Sequence, residues 1–300
     1  MHIPDGFLST PVWVSLDAAA VPAVSFMARK AQADFTDARI PLLGVMGAFV
    51  FAAQMVNFPV GVGTSGHLVG GALLAITLGP AAASLVMTAI LTVQALIFQD
   101  GGILALGANA INMALLGVWA GYLPYHLWGQ TRWRKAAMFL GGFCSVLIAA
   151  AMAVLQLVCS GVKIPSPVLG LSALLFVVAA IIEGAITVAV VGALSRMNPR
   201  FIRDLPSERR LIPAYAGFAV LMVAMVGAFF ASTKPDGLES LAQAAGIGSQ
   251  ASTLLHSPLA DYELSWLTAP WLRKAVGASL GLVIVYGVCV SLVPRLKRPS

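Results

Sequence analysis

The chain has 300 residues, of which 59% are hydrophobic and 10% are charged, and its mean hydropathy is +0.90. Water-soluble domains carry roughly 25% charged residues, so this composition excludes a soluble globular protein. The net charge of +6 does not indicate nucleic-acid binding, because the basic residues form short clusters between apolar segments, a pattern that is typical of membrane topology.

Apolar segments recur along the whole chain, and about 20 such residues span a bilayer as a helix. The candidate spans lie near residues 12–28, 40–56, 67–79, 81–98, 102–124, 137–159, 168–194, 211–231 and 272–293. The third and fourth meet at Gly79-Pro80 and can instead form a broken hairpin or one kinked helix. We therefore predict an all-α, polytopic membrane protein with about nine transmembrane helices.

The basic residues test this count, because cytoplasmic loops collect Lys and Arg. With nine spans, one side of the membrane receives Arg29, Lys30, Arg39, Arg132, Arg134, Lys135, Arg196, Arg200, Arg203, Arg209, Arg210, Arg295, Lys297 and Arg298. The other side receives only Lys163, Lys234, Arg273 and Lys274. This division predicts that the N-terminus lies outside and the C-terminus lies in the cytoplasm.

Two polar regions interrupt the apolar pattern on the outer side. The first, FPVGVGTSGH at residues 58–67, is glycine-rich and ends at a histidine. The second, residues 232–270, contains Pro-Asp-Gly, which favours a turn. The basic loop 195–210 is a natural boundary, and we predict a seven-helix domain at 1–205 and a two-helix domain at 206–300 with the outer loop 232–270.

His2 gives the N-terminus the chemistry of a metal chelator. The free amine of Met1, the backbone amide of His2 and its imidazole Nδ1 can close a five-membered and a six-membered ring around one ion. With the amide deprotonated these donors are coplanar, and a fourth nitrogen completes the square-planar geometry that Ni(II) or Cu(II) prefers. Zinc, which favours a tetrahedron, fits such donors poorly. The alternative is an N-terminus without any ligand role.

The amine must be free and the segment must reach the bundle. The first ten residues, MHIPDGFLST, lack the features of a cleavable signal peptide, so we expect the chain to begin at Met1. Nine residues before the first span reach about 30 Å when extended. Ile3, Phe7 and Leu8 give the segment an apolar reason to insert.

His67 is the candidate for the fourth nitrogen. It opens a span on the same side as the predicted N-terminus, after glycines that let backbones approach closely. The alternative is a histidine at the end of a helix with no ligand role. Together with His2 on the same face, a shared metal site is the better interpretation.

Other polar residues lie in or beside the apolar spans. Asn109 and Asn112 are costly there unless hydrogen-bonded, and they are candidates either to orient the imidazoles or to bond between helices. Glu183 is an intramembrane charge for which the sequence names no partner. His126 and His256 are expected to be solvated.

Several absences limit the possible functions. The sequence contains no G-x-x-x-x-G-K-[ST] phosphate loop and no H-E-x-x-H motif, so we expect neither ATP hydrolysis nor zinc-protease activity. Its three cysteines are not spaced as a zinc or iron-sulfur set. A metal-dependent membrane channel or enzyme, and a purely structural subunit with incidental histidines, remain as alternatives to a metal-uptake subunit.

Four motifs together resemble a known family: MHIPDGFL at the N-terminus, GTSGHLVGG around His67, GANAINM, and PDGLE at residues 235–239. They are similar to the nickel/cobalt substrate-binding subunits of energy-coupling factor transporters. The first seven spans resemble the metal-binding subunit NikM or CbiM, and residues 211–293 resemble its two-span companion, NikN, CbiN or the PDGLE domain.

This resemblance implies a site and partners. The metal would be held by the Met1 amine, the His2 amide and imidazole, and the His67 imidazole, with no cofactor beyond the transported ion. Separate ATPase subunits, coupled through a membrane-embedded subunit, would drive uptake across a bacterial inner membrane. Loop 232–270 would pack near the N-terminal segment. Pro4-Asp5 resembles the nickel branch, while cobalt uptake for cobalamin synthesis is the alternative.

Overall fold

The computed structural model describes residues 1–32, 40–61, 63–197, 234–264 and 267–296. The predicted span at 211–231 and most of the basic loop 195–210 lie outside these residues. The described part is predominantly helical, which confirms the predicted fold class, and six of its helices are long and apolar enough to cross a membrane.

The long helices follow the apolar segments of the sequence. They are α1 (Thr10–Gln32), α2 (Ile40–Gln54), α4 (Pro80–Phe98), α5 (Leu106–Trp128), α6 (Arg134–Cys159), α7 (Ser166–Met197) and α9 (Pro270–Leu296). Helix α2, with 15 residues, is shorter than the other six. The last turns of α4 (Gln94–Phe98) and a stretch of α5 (Ala110–Gly117) are π-helical, a geometry that often marks functional positions.

The third and fourth predicted segments form two separate helices. A short hairpin of β1 (Phe58–Gly61) and β2 (Thr64–Gly66) precedes α3, which covers only Gly71–Leu78. Gly79 then takes a positive φ of 85°, and Pro80 begins α4 because its missing N–H is not needed in a first helical turn. Eight residues rise about 12 Å, so α3 alone is too short to span a bilayer.

Residues 67–70, which precede α3, are buried in the bundle and are not helical. The backbone amides of such a segment need hydrogen-bond acceptors, because the core of a membrane offers no water. Glu183, only 1% exposed on α7, accepts from the N–H of Val69 at 2.8 Å and of Gly70 at 2.7 Å. The intramembrane charge is thus bonded to backbone groups, and it fixes the segment that carries His67.

The N-terminal segment folds back into the bundle, as its apolar residues predicted. Ile3, Phe7 and Leu8 are buried in one cluster with the start of α5 and with the outer loop. The carboxylate of Asp5 accepts from the N–H groups of residues 103, 104 and 105 at 2.9, 2.8 and 3.3 Å. These bonds satisfy backbone donors of the three residues that precede α5 and join the N-terminal segment to them.

The outer loop covers the N-terminal segment from the opposite side. Its helix α8 (Gly237–Ala244) begins with a capping box, in which Asp236 accepts from two backbone N–H groups and Glu239 accepts from the N–H of Asp236. The N–H of Ser65 donates to the carbonyl of Pro235 at 2.9 Å, and the N–H of Ser252 donates to the carbonyl of Asp5 at 2.9 Å. The C-terminal part of the chain is therefore joined to both the hairpin and the N-terminus.

We predict that Glu183→Ala lowers the thermal unfolding midpoint of the purified protein. The substitution leaves two buried N–H groups without their acceptor, at a cost of about 2–5 kcal/mol in the free energy of unfolding. Glu183→Gln, which keeps one acceptor oxygen, should lie between this variant and wild type. Leu174→Ala, at a side chain on α7 that is 60% exposed, is the control; a Glu183→Ala protein as stable as this control would contradict the assigned role.

Candidate metal-binding site

The structure brings together Met1, His2 and His67, the residues that the sequence proposes for a shared metal site. The Met1 amine nitrogen lies 2.6 Å from His67 Nε2. The two imidazole rings are parallel, with 5.3 Å between centroids and 2° between planes. His2 is 6% and His67 is 9% exposed. Met1 and His67, which lie 66 positions apart in the sequence, thus meet in the interior of the protein.

The surroundings of His67 leave one of its ring nitrogens available as a donor. Nδ1 lies 3.0 Å from the carbonyl oxygen of Leu68, an acceptor only, so Nδ1 carries the proton and Nε2 has the free electron pair. In this tautomer Nε2 is the ring nitrogen that could bind a metal ion, because a ligating nitrogen must be unprotonated.

His2 is buried without a regular hydrogen bond at either ring nitrogen. Its Nδ1 lies 3.0 Å from Asp100 Oδ1, so a carboxylate lies beside the ring. A buried polar atom without a bonded partner is costly, and such atoms often mark functional positions. The imidazole of His2 is therefore available to a ligand.

The arrangement suits a metal ion that takes nitrogen donors. Adjacent ligands of a square-planar ion, at metal–nitrogen distances of about 2.0 Å, lie roughly 2.8 Å apart, near the separation of the Met1 amine and His67 Nε2. Within the described ranges no three His, Cys, Asp or Glu side chains converge as a ligand set. The predicted set does not need three, because two of its donors belong to the backbone.

Two aspartates contact the predicted donors, and sequence reasoning did not assign either to the site. Asp236 Oδ2 lies 2.5 Å from the Met1 amine and 3.7 Å from His67 Nε2, and Asp100 lies beside His2. Burial raises the pKa of Asp236, but the N-terminal ammonium and His67 lower it by more, so it lies well below its ordinary value. The PDGLE sequence carried a usable signal, since Asp236 and Glu239 have the spacing of a capping box.

A buried polar chain continues from Asp100 into the bundle. Tyr262, in the outer loop, donates to Asp100 Oδ2 at 2.5 Å and stacks on Phe98. Gln94, on the π-helical end of α4, donates to the hydroxyl of Tyr262 at 3.3 Å and to Oε1 of Gln54 at 2.9 Å. The two glutamines are 0% and 2% exposed, so the site is connected by hydrogen bonds to the centre of an apolar bundle.

The two asparagines of GANAINM have different roles. Asn109 accepts from the N–H of Ile3 at 2.8 Å and donates to the carbonyl of Ile3 at 3.0 Å, so it positions the N-terminal backbone rather than an imidazole. Asn112 forms a reciprocal pair with Gln156 on α6, at 2.8 and 2.7 Å. Asn112 therefore forms hydrogen bonds between helices and does not orient an imidazole.

The remaining sequence candidates lie away from the donors. His126, on α5 beside Tyr122, and His256, in the outer loop, are both exposed, as predicted. Glu183 acts on the segment that follows His67 and is not itself among the groups around the Met1 amine.

A cavity of about 440 Å³ adjoins the two imidazoles. Its wall carries five carboxylates, among them Asp100, Asp236 and Glu239, and two lysines. Carboxylates in excess make the local potential negative, which favours the approach of cations over anions.

Both halves of the chain match families and relatives that are described as metal transport proteins or their domains. A family model described as "Cobalt uptake substrate-specific transmembrane region" (CbiM) matches residues 2–201, and one described as "PDGLE domain" matches residues 209–298. A protein of Archaeoglobus fulgidus, named as a fused nickel transport protein (NikMN), is 34% identical over 97% of this chain and 98% of its own length. The fused nickel transport protein NikMN of Rhodobacter capsulatus is 29% identical over 97% of both chains.

The fold has a counterpart among solved structures. The crystal structure of a truncated transition-metal transporter superimposes with a TM-score of 0.58 at 34% identity, and the match covers 66% of this chain and 99% of that one.

We predict that Gly102→Ala displaces the N-terminal segment. A Cβ at this position would clash with Asp5 Oδ1 and would lie 2.5 Å from the Asp5 backbone nitrogen, so Asp5 must shift relative to the residues that precede α5. Thermal unfolding should show a lower midpoint than for Gly192→Ala, where nothing lies within 4 Å of the added methyl. Equal midpoints for the two variants would show that the segment adjusts at no cost.

Proposed function

The chain belongs to the CbiM family of cobalt uptake substrate-specific transmembrane proteins, and from that premise we propose that it binds Ni²⁺ for uptake through four nitrogens at its N-terminus. The protein is a multi-pass membrane transport protein and not an enzyme, consistent with its relatives and its apolar helices. The four donors of the proposal are the Met1 amine, the His2 amide and imidazole, and the His67 imidazole.

One observation carries the proposal: the Met1 amine lies 2.6 Å from Nε2 of the buried His67. An ordinary N-terminus is exposed and mobile, whereas this one is inserted beside a second imidazole and held by Asn109 and Asp5. This placement is the one that a metal ion shared by the amine and His67 would require.

Nickel is the preferred ion because of the geometry of the donors. A deprotonated amide between an amine and an imidazole imposes a planar field, which suits Ni²⁺ better than ions without that preference. Relatives with fused chains are named as nickel transport proteins. Other relatives are named as cobalt transport proteins, and Co²⁺ for cobalamin synthesis is the alternative ion.

We further propose that separate subunits supply the energy. The chain has no phosphate-binding loop, so an energy-coupling subunit in the membrane and ATPase subunits in the cytoplasm would drive release. Helix directions put Arg29, Lys30, Arg134 and Arg196 at the ends remote from Met1. By the positive-inside rule the metal site faces outward from a bacterial inner membrane and the C-terminus faces the cytoplasm.

The same proposal assigns different roles to the two domains of the chain. Residues 1–205 would hold the metal, and residues 206–300 would form a companion domain. Contacts of Pro235, Asp236 and Ser252 with the hairpin and the N-terminal segment support a direct action of the companion on the site.

We predict that one residue added before Met1, or acetylation of its amine, abolishes high-affinity nickel binding. Either change removes a donor and the terminal chelate ring, while the helices stay intact. Isothermal titration of the purified, metal-free protein measures the effect.

The control is His256→Ala, which removes an exposed histidine of the outer loop and should bind nickel as wild type does. His2→Ala and His67→Ala should each lose more than about 100-fold in affinity, because the loss of a side chain that merely orients a ligand already costs about 10–100-fold. Undiminished affinity in the extended protein would rule out the proposed site.

A further inference from the structure

The N-terminal amine has a second partner besides the imidazole of His67. It forms an ion pair with Asp236 Oδ2 at 2.5 Å, and both side chains are largely buried, with exposures of 10% and 14%. The two residues lie 235 positions apart. The contact therefore joins the first residue of the chain to the C-terminal part that the companion domain contributes.

Asp236 is held rigidly from several sides. Its Oδ1 accepts from the N–H groups of Leu238 and Glu239 at 2.8 Å each, while Oδ2 is directed to the amine. The residues before it are bonded to Ser65, whose hydroxyl donates to the carbonyl of Lys234 at 2.7 Å. One carboxylate thus performs two tasks, since one oxygen caps α8 and the other binds the N-terminus.

We propose that Asp236 is a positioning residue, which docks the Met1 amine beside His67 before the metal arrives. This inference rests on the proposed function for its metal-binding consequence. A dication held between the amine and His67 Nε2 would also lie close to the carboxylate, because Oδ2 is 3.7 Å from that nitrogen. The negative charge then favours both the docked amine and the bound ion.

The competing explanation is that Asp236 only caps α8. Asn separates the two roles, because Asn and Asp are similarly effective as N-cap residues, while the neutral amide cannot form an ion pair with the amine. Asp236→Asn therefore keeps the cap and removes the charge. Asp236→Ala removes both.

The first measurement needs no metal. The metal-free, full-length protein in detergent micelles is treated at neutral pH with an amine-reactive ester, and the rate of N-terminal labelling is followed by mass spectrometry. Asp236→Asn should label about tenfold faster than wild type, because an ion pair that protects the amine is lost. The control Asp261→Asn removes a carboxylate from the same cavity wall and places Asn, which tolerates a positive φ, at a φ of 53°; it should label as wild type does.

The second measurement is nickel affinity of the same proteins. Asp236→Asn should bind about tenfold more weakly than wild type and Asp261→Asn about equally. Wild-type labelling and wild-type affinity in Asp236→Asn, with a defect only in Asp236→Ala, would overturn the proposal and leave Asp236 as a cap. If wild type itself bound no nickel, the proposed function would fail, while the labelling rates would still decide whether Asp236 docks the amine.

Discussion

The contact between the Met1 amine, His67 and Asp236 joins three distant parts of the chain, and much of the structure is arranged around it. The amine reaches this position only because Ile3, Phe7 and Leu8 insert among apolar residues and because Asp5 and Asn109 bond the backbone on either side. His67 reaches it only because residues 67–70 leave helical geometry, which Glu183 makes possible by accepting from two amides. We therefore expect that removing one of these contacts moves the Met1 amine away from His67.

Buried polar side chains in this bundle mostly satisfy backbone groups or one another. Asn112 pairs with Gln156, Gln54 donates to the carbonyl of Val69, and Thr77 donates to the carbonyl of Leu73. Such bonds allow irregular backbone inside an apolar environment. The imidazole of His2 has no regular hydrogen bond, a condition that it shares with several other buried side chains, such as Ser84 and Thr187. What distinguishes His2 is that its ring stacks on the imidazole of His67, beside the Met1 amine. That convergence of nitrogen donors is why the N-terminus, rather than another polar cluster, is the candidate site.

The sequence predicted the fold class and most of the described helical segments, because these depend on local composition. It also placed His2 and His67 on one side of the membrane, because the distribution of Lys and Arg indicates the topology. It did not identify Asp100 and Tyr262, which approach the site only through long-range packing. Pro-Asp-Gly predicts a turn at Asp236, but the sequence does not reveal that one oxygen of this carboxylate has a second partner. The sequence also does not identify the partners of Glu183, because they are backbone N–H groups, which every residue except proline has. The predicted span at 211–231 lies outside the described residues, and the metal itself stays a prediction.

The measurement that tests this account most directly is X-ray absorption at the nickel edge of the purified, nickel-loaded chain with its native N-terminus. The account predicts a first shell of about four nitrogen ligands in planar geometry, with outer-shell scattering from two imidazoles. A shell of six oxygen or nitrogen ligands, a sulfur ligand, or scattering from a single imidazole would contradict it.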